Sequence, residues 1–180
     1  MEPALMVDPL GKGCLSFFFA PSFVESMMSR SFIALAMFLL TLAAYADPPE
    51  NYPFLSYDKA MAEAAETKRP VFVYFGRYGC GYCDKTNKEA FSDPVVRERF
   101  IEHYVLTYVD SESGKRLRLP SGERITEREL GTRYNAFVTP IFTFIDANGT
   151  EMLRLIGVQS KETLLKADEQ VQQASSAEKG

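Results

Sequence analysis

Val71-Phe72-Val73-Tyr74-Phe75-Gly76-Arg77-Tyr78-Gly79-Cys80-Gly81-Tyr82-Cys83 is the stretch on which the reading of this chain turns. Five apolar residues in a row, Val71 to Phe75, read as a buried strand. Gly76 and Gly79 punctuate the loop that follows. Two cysteines come next, with two residues between them, and a helical pattern begins at once. The first turn of a helix carries unpaired N–H groups and the positive end of the macrodipole, and both favour a thiolate. The expectation is that Cys80 sits at the helix start with its sulfur accessible. Cys83, one turn further on, then lies close enough to close a disulfide.

The chain has 180 residues, 46% of them hydrophobic and 24% charged, which suits one globular domain with a full-sized core. A net charge of -4 gives no reason to expect nucleic acid or an anionic membrane surface. Three cysteines and one histidine are too few for the usual four-ligand zinc site. A disulfide across so short a loop removes little chain entropy, so the pair reads as redox-active rather than as a staple. Nothing in the sequence calls for a cofactor or a metal ion. A copper site built from Cys80, Cys83 and His103 is the metal alternative, because soft thiolates favour Cu(I). His103 otherwise reads as structural or exposed.

Residues 28–46 have the form of a secretory signal peptide. Arg30 supplies the charge, Phe32 to Leu42 the apolar run, and Ala44-Tyr45-Ala46 the small-x-small cleavage pattern. The apolar stretch is short of the about 20 residues that span a bilayer. Residues 1–27 are expected to be untranslated or removed, since Met27 or Met28 makes a better start, and Cys14 goes with them. Residues 47–180 are then a single exported domain whose only cysteines are Cys80 and Cys83.

In chain order, Tyr57 to Thr67 reads as a helix with Ser56 as its N-cap and Lys68-Arg69-Pro70 as its stop. Gly81 to Phe100 is helical, broken at Ser92-Asp93-Pro94, where Asp93 caps a second piece with Pro94 in its first turn. Tyr104 to Val109 is a second strand. Ser111 to Arg124 is loop-like and carries Lys115, Arg116, Arg118 and Arg124; it reads as a solvated surface hairpin or turn, or as a docking surface for a partner protein. Thr126 and Glu129 form a capping box at the head of a short helix to Tyr134. Thr139-Pro140, a strand Ile141–Ile145, the turn Asp146-Ala147-Asn148-Gly149 and a strand Met152–Ile156 follow, with Asn-Gly as the hairpin signal. A last helix runs from Lys161 to about Val171, and Gln172 to Gly180 is expected to fray. The first two strands should be parallel and the last two an antiparallel hairpin. The fold class is therefore α/β, a mixed central sheet with helices on both faces.

This order, with Cys80-Gly81-Tyr82-Cys83 between strand and helix and Thr139-Pro140 opening the hairpin, resembles the thioredoxin fold. Within that superfamily the chain is most similar to periplasmic thioredoxins of the sulfur-oxidation (Sox) type. The shared features are the signal peptide, the Gly-Cys-x-Tyr-Cys site, Ser-Asp-Pro-Val at 92–95 and the Pro-Ser-Gly loop. The resemblance implies a cis Pro140 beside the cysteines, with the Thr139 backbone pairing an extended substrate. Gly81 and Tyr82 would tune thiolate stability, and Tyr82 could line the docking groove. The resemblance also implies that the protein works in the periplasm, where it reduces disulfides in partner proteins and draws electrons from a membrane thiol transporter. No dimerisation segment is visible, so a monomer is expected.

Three features depart from common thioredoxins. Gly79 stands where a Trp precedes the first Cys. Tyr74 stands where a buried Asp assists proton transfer to the second thiol, which leaves Glu89, Lys85 or a water as candidates for Cys83. Cys-Gly-Tyr-Cys with a Thr before the proline also resembles bacterial disulfide isomerases. Cys80 is read as the attacking thiolate and Cys83 as the resolving thiol, with Arg77 as the nearest definite cation. The competing readings are an isomerase or oxidant of the same fold, and a non-catalytic metal-binding or structural module.

Overall fold

The computed structural model describes residues 48–178. The segments 1–27 and 28–46 lie outside the described residues. The chain builds α1 (Tyr57–Thr67), β1 (Val71–Gly76), α2 (Gly81–Thr86), a π-helical turn (Asn87–Phe91), α3 (Pro94–His103) and β2 (Val105–Asp110). It continues with β3 (Arg116–Arg118), β4 (Arg124–Thr126), α4 (Glu127–Arg133), β5 (Ile141–Ile145), β6 (Glu151–Ile156) and α5 (Lys161–Glu178). The four-stranded sheet has the order β2-β1-β5-β6. β1 and β2 are parallel from Val71↔Val105 to Gly76↔Asp110, β5 is antiparallel to β1, and β6 is antiparallel to β5. This is the thioredoxin fold, with the mixed sheet the strand order implies.

β1 is buried over its whole length. A strand with neighbours on both edges and layers on both faces can be apolar at every position, whereas one face of a half-exposed strand must be polar. Its alternation sorts the core into two. Val71, Val73 and Phe75 pack with Ala60, Met61 and Ala64 of α1 and Leu130 of α4. Phe72 and Tyr74 face the other way, toward Phe91, Phe100 and, on α5, Leu164, Ala167 and Val171. Phe72 is the hub of that second layer: its ring lies 4.9 Å from Phe100, 5.1 Å from Phe144 and 6.0 Å from Phe91 and Phe142, centroid to centroid.

The helix ends explain why the elements stop where they do. Lys68 takes a left-handed conformation (φ 57°) and ends α1. Arg69 then reaches the C-terminus of α3, where its Nη2 donates to the carbonyls of Ile101, Glu102 and Tyr104, so a cation meets the negative end of the helix. Asp93 caps α3 by accepting from the N–H groups of Val95 and Val96. Its other oxygen accepts from Lys161 at 2.6 Å, and that contact holds the carboxyl below its usual range while tying α3 to the head of α5.

Of three local expectations two change and one, the surface hairpin, holds. Ser56 occupies the N-cap position of α1 without a side-chain cap bond, because its hydroxyl serves the Asp58 carboxylate. Ser111 to Arg124 is a defined two-stranded hairpin at its core, with register Arg116↔Thr126 and Arg118↔Arg124. α5 does not fray at Gln172 but runs to Glu178, since no glycine or proline interrupts it and Val171 keeps that turn against the core.

Phe72→Ala removes the ring on which five other aromatic rings converge. The expected loss is about 3–5 kcal/mol of unfolding free energy, read as a shifted urea midpoint with an unchanged slope.

Candidate active site

β1 ends at Gly76, where a side chain would force the Tyr108 ring to shift: a Cβ there would lie 2.6 Å from the Tyr108 hydroxyl oxygen. The loop Arg77–Gly79 then turns the chain into α2, with Gly79 in a left-handed conformation (φ 68°). Cys80 is the N-cap residue of α2. Its Sγ accepts a hydrogen bond from the Cys83 N–H at 3.1 Å, so the sulfur occupies the place a Ser or Asp oxygen takes in other helices. Cys80 and Cys83 form a disulfide with their Cα atoms 5.2 Å apart.

Thr139 meets this pair from the other side of the site. The Thr139–Pro140 peptide is cis. Thr139 Oγ1 donates toward Cys80 Sγ at 3.2 Å, and the Thr139 carbonyl oxygen lies 3.6 Å from the same sulfur. An oxidised sulfur has no proton to give, so the second contact becomes a hydrogen bond only when Cys80 is a protonated thiol. Pro140 is buried directly ahead of β5.

The position of Cys80 at a helix start predicts an accessible sulfur; the residue is instead 2% exposed, like Cys83. The helix cap draws its sulfur inward against Thr139. The cover is thin, however. Gly79 and Gly81 on either side of it are exposed, and a Cβ built on either would meet no atom within 4 Å beyond its own chain neighbours. Tyr82 is 69% exposed. It lines a groove of about 820 Å³ together with Phe137, Val138, Thr139, Arg77, Ser111 and Arg128. Phe137 and Val138 are 74% and 57% exposed. The sequence reading misses this pair, although two apolar residues set directly before Thr139-Pro140 in a loop are the kind of signal that marks a binding rim.

The ionisable candidates have partners of their own. Arg77 Nε lies 3.7 Å from Glu112 Oε1, so its charge is partnered. Lys85 and Glu89 face each other at 4.0 Å on the exposed side of the helix. His103 ends α3, just before β2 begins, while Cys80 follows the end of β1. Because the two strands are parallel, His103 is at the opposite end of the sheet, where its Nδ1 pairs with buried Asp168 at 2.7 Å. A copper site joining it to the cysteines is therefore excluded by the topology. Tyr74 points its hydroxyl at Asn87 Oδ1, 3.1 Å away. Burial pushes that hydroxyl far above the usual tyrosine range, so it acts as a donor rather than a base.

Two further residues hold the site to the frame. Thr86 Oγ1 donates to the Tyr82 carbonyl at 3.1 Å and accepts from the Gln159 N–H at 3.4 Å. Gln159 Nε2 in turn donates to the carbonyls of Ile156 and Gly157, both at 3.0 Å. The first turns of α2 are thus tied to the β6–α5 connection. Thr86→Val keeps the shape but leaves the buried Gln159 N–H without its acceptor. The expected cost is about 1–3 kcal/mol in urea unfolding, while Thr86→Ser is expected to retain most of the stability.

Comparison with known proteins adds to this geometry. The chain is 29% identical over 102 residues to the thiol:disulfide interchange protein DsbD 1 of Pseudomonas aeruginosa; the match takes in 56% of this chain and 16% of that much longer protein. A thioredoxin from Thermus thermophilus superposes with a TM-score of 0.54 at 29% identity, covering 67% of this chain and 86% of the other. The DsbH oxidoreductase superposes with a TM-score of 0.54 over 69% of this chain and 88% of its own, at 20% identity, a likeness of fold. The family model for the thioredoxin-like domain matches residues 57–172, and the chain, with its paired Cys80 and Cys83, belongs to that thioredoxin-like family.

Proposed function

We propose that this protein is an exported thiol–disulfide oxidoreductase that reduces disulfides in partner proteins. The observation that carries the reading is the Cys80–Cys83 disulfide at a helix start, with Thr139 Oγ1 and the Thr139 carbonyl both against Cys80 Sγ. In the dithiol form the Cys80 thiolate would receive the N–H bond from Cys83 and face the positive end of α2, both of which favour the ionised sulfur. Cys80 attacks one sulfur of a partner disulfide; the S–S bond breaks, a mixed disulfide forms and the other partner sulfur leaves as a thiolate that takes up a proton. Cys83 then gives up its proton and attacks Cys80. The second partner thiol leaves, and the Cys80–Cys83 bond carries away the two electrons' worth of oxidation. A dithiol donor reverses these steps on the enzyme, and we assign that role to a membrane thiol transporter.

In this reading Thr139, Gly81 and Tyr82 receive the substrate backbone, and Pro140 shapes the wall beside the sulfurs. Residues 28–46 are the export signal and 47–180 the single mature domain, acting as a monomer in the periplasm. Within the family we place it with the Sox-type periplasmic thioredoxins, on the motifs around 79–83, 92–95 and 120–122. Beyond their chain neighbours, the space beside Gly79 and Gly81 is open, which supports access to a sulfur that is itself covered.

The test is dithiothreitol-driven reduction of insulin. Wild type should turn over without added copper, Cys80→Ser should lose turnover entirely, and Cys83→Ser, reduced and then freed of dithiothreitol, should instead trap a mixed disulfide with insulin that a reducing gel releases. The direction is read from the potential of the pair in glutathione buffers. A value near ~-270 mV supports the reductase, and one near ~-120 mV makes the protein an oxidant.

A further inference from the structure

The β3–β4 hairpin carries more charge than its place in the fold explains. Its register sets Arg116 opposite Thr126, Leu117 opposite Ile125 and Arg118 opposite Arg124. Residues directly opposite share a face, so Arg116, Arg118 and Arg124 all stand on the outer one. The inner face is apolar: Ile125 is buried in the core and Leu117 packs against it. Backbone bonds from Glu127 N to the Lys115 carbonyl and from Arg128 N to the Ser113 carbonyl fasten the hairpin's base to the head of α4. The outer arginines are therefore presented from a fixed support.

All three are exposed, and no carboxylate among the described residues lies in ion-pair contact with any of them. The neighbouring charges are otherwise engaged. Lys115 pairs with Glu127 at 3.1 Å, and Glu123 pairs with Arg133. Two like charges directly across a strand pair are destabilising, so Arg118 facing Arg124 is a cost the fold does not need. The surface is concave as well as basic. Arg116, Arg118 and Arg124 line a pocket of about 450 Å³ against Ser56, Tyr57 and Asp58 at the head of α1. Asp58 is the one acid there outside an ion pair with the hairpin, and its carboxyl is held below its usual range first by the Ser56 hydroxyl.

The pocket is at the disulfide end of the sheet. Leu55 bridges Thr107 in parallel, which brings Tyr57 level with the end of β2, and β2 ends beside Gly76. α4 separates the hairpin from the groove at the disulfide, whose wall includes Arg128 and Thr132.

We propose that this hairpin face is a second docking site, which receives an Asp/Glu-rich stretch of the protein whose disulfide is presented to Cys80. Guanidinium groups pair carboxylates two-pronged, and three of them unpaired around a concave wall suit a short run of side-chain carboxylates. The net charge of -4 argues for such a local contact. An extended polyanion, membrane or nucleic acid, would meet repulsion from the rest of the surface. The proposal rests on the redox reading for its partner, though the binding it describes does not need turnover.

The test uses two fluorescent peptides with the same disulfide, one joined by a Gly/Ser linker to a run of glutamates and the other to a neutral run. With dithiothreitol as the reductant, kcat/KM of wild type on the acidic peptide should exceed that on the neutral one by about tenfold at low salt, and the gap should close at high salt. In R116Q/R118Q/R124Q the gap should vanish at low salt while the neutral peptide is turned over as before. Equal kcat/KM for the two peptides with wild type, or a gap that survives in the triple variant, overturns the proposal. If neither peptide is reduced, the redox reading fails by itself, and fluorescence anisotropy of the acidic peptide decides the site: salt-sensitive binding lost in the triple variant upholds it, and equal binding to both proteins overturns it. Phosphatidylglycerol vesicles that bind wild type and displace the acidic peptide from it also overturn it.

Discussion

β1 is buried on both faces and hydrogen-bonded on both edges, and the rest of the molecule is arranged around that constraint. A strand in this position cannot shift by one residue without exchanging its two side-chain sets between two differently shaped layers. Val71, Val73 and Phe75 meet the small residues of α1, whereas Phe72 and Tyr74 enter an aromatic cluster. The register is fixed, and so is the point at which the strand ends. Gly76 ends it under the Tyr108 ring, and four residues later the chain delivers Cys80 to the head of a helix.

The site is assembled from two such fixed ends. One is the start of α2, where the Cys80 sulfur stands in for a capping oxygen. The other is the residue before β5, where Thr139 touches the same sulfur with its hydroxyl and presents its carbonyl nearby. Because β5 pairs directly with β1, the approach of Thr139 to Cys80 is a consequence of strand pairing. The π-helical turn from Asn87 to Phe91 follows one turn after Cys83, and its last residue, Phe91, packs edge-on to Phe100 and stacked on Tyr74. Buried side-chain hydrogen bonds in this region join neutral groups: Tyr74 donates to Asn87, and Thr86 bridges Tyr82 to Gln159. The buried acids among the described residues are Glu127 and Asp168. The first pairs with Lys115 and the second with His103 and Arg99, which places neither of them among the partners of the disulfide.

Much of this is legible from local pattern. An unbroken apolar run announces β1, Asp93-Pro94 announces the head of α3, Thr126 and Glu129 announce α4, and Asn148-Gly149 the last hairpin. Each is a signal whose physical cause lies within a few residues: a side-chain oxygen within reach of an N–H, or a residue tolerant of the backbone angle needed. The expectations that fail depend on what surrounds a residue in the folded chain. Ser56 has the right position to cap α1, but its hydroxyl serves Asp58 instead. Gln172 onward has no local reason to end a helix, and α5 continues because Val171 is held against the core. Cys80 reads as open because helix starts are open, and it is covered because Thr139, which is remote in sequence, packs on it.

By itself the sequence determined the elements, their order and the chemical identity of the reactive pair, since these follow from side-chain type, spacing and capping. Only the tertiary structure decided which groups surround that pair. It put His103 at the far end of the sheet and Arg77 with Glu112, and it brought Thr139 onto the sulfur and Phe137 and Val138 to the rim. Proximity between residues dozens of positions apart is set by strand pairing and by which face of β1 each layer must cover, and neither quantity is written in any short stretch of the chain.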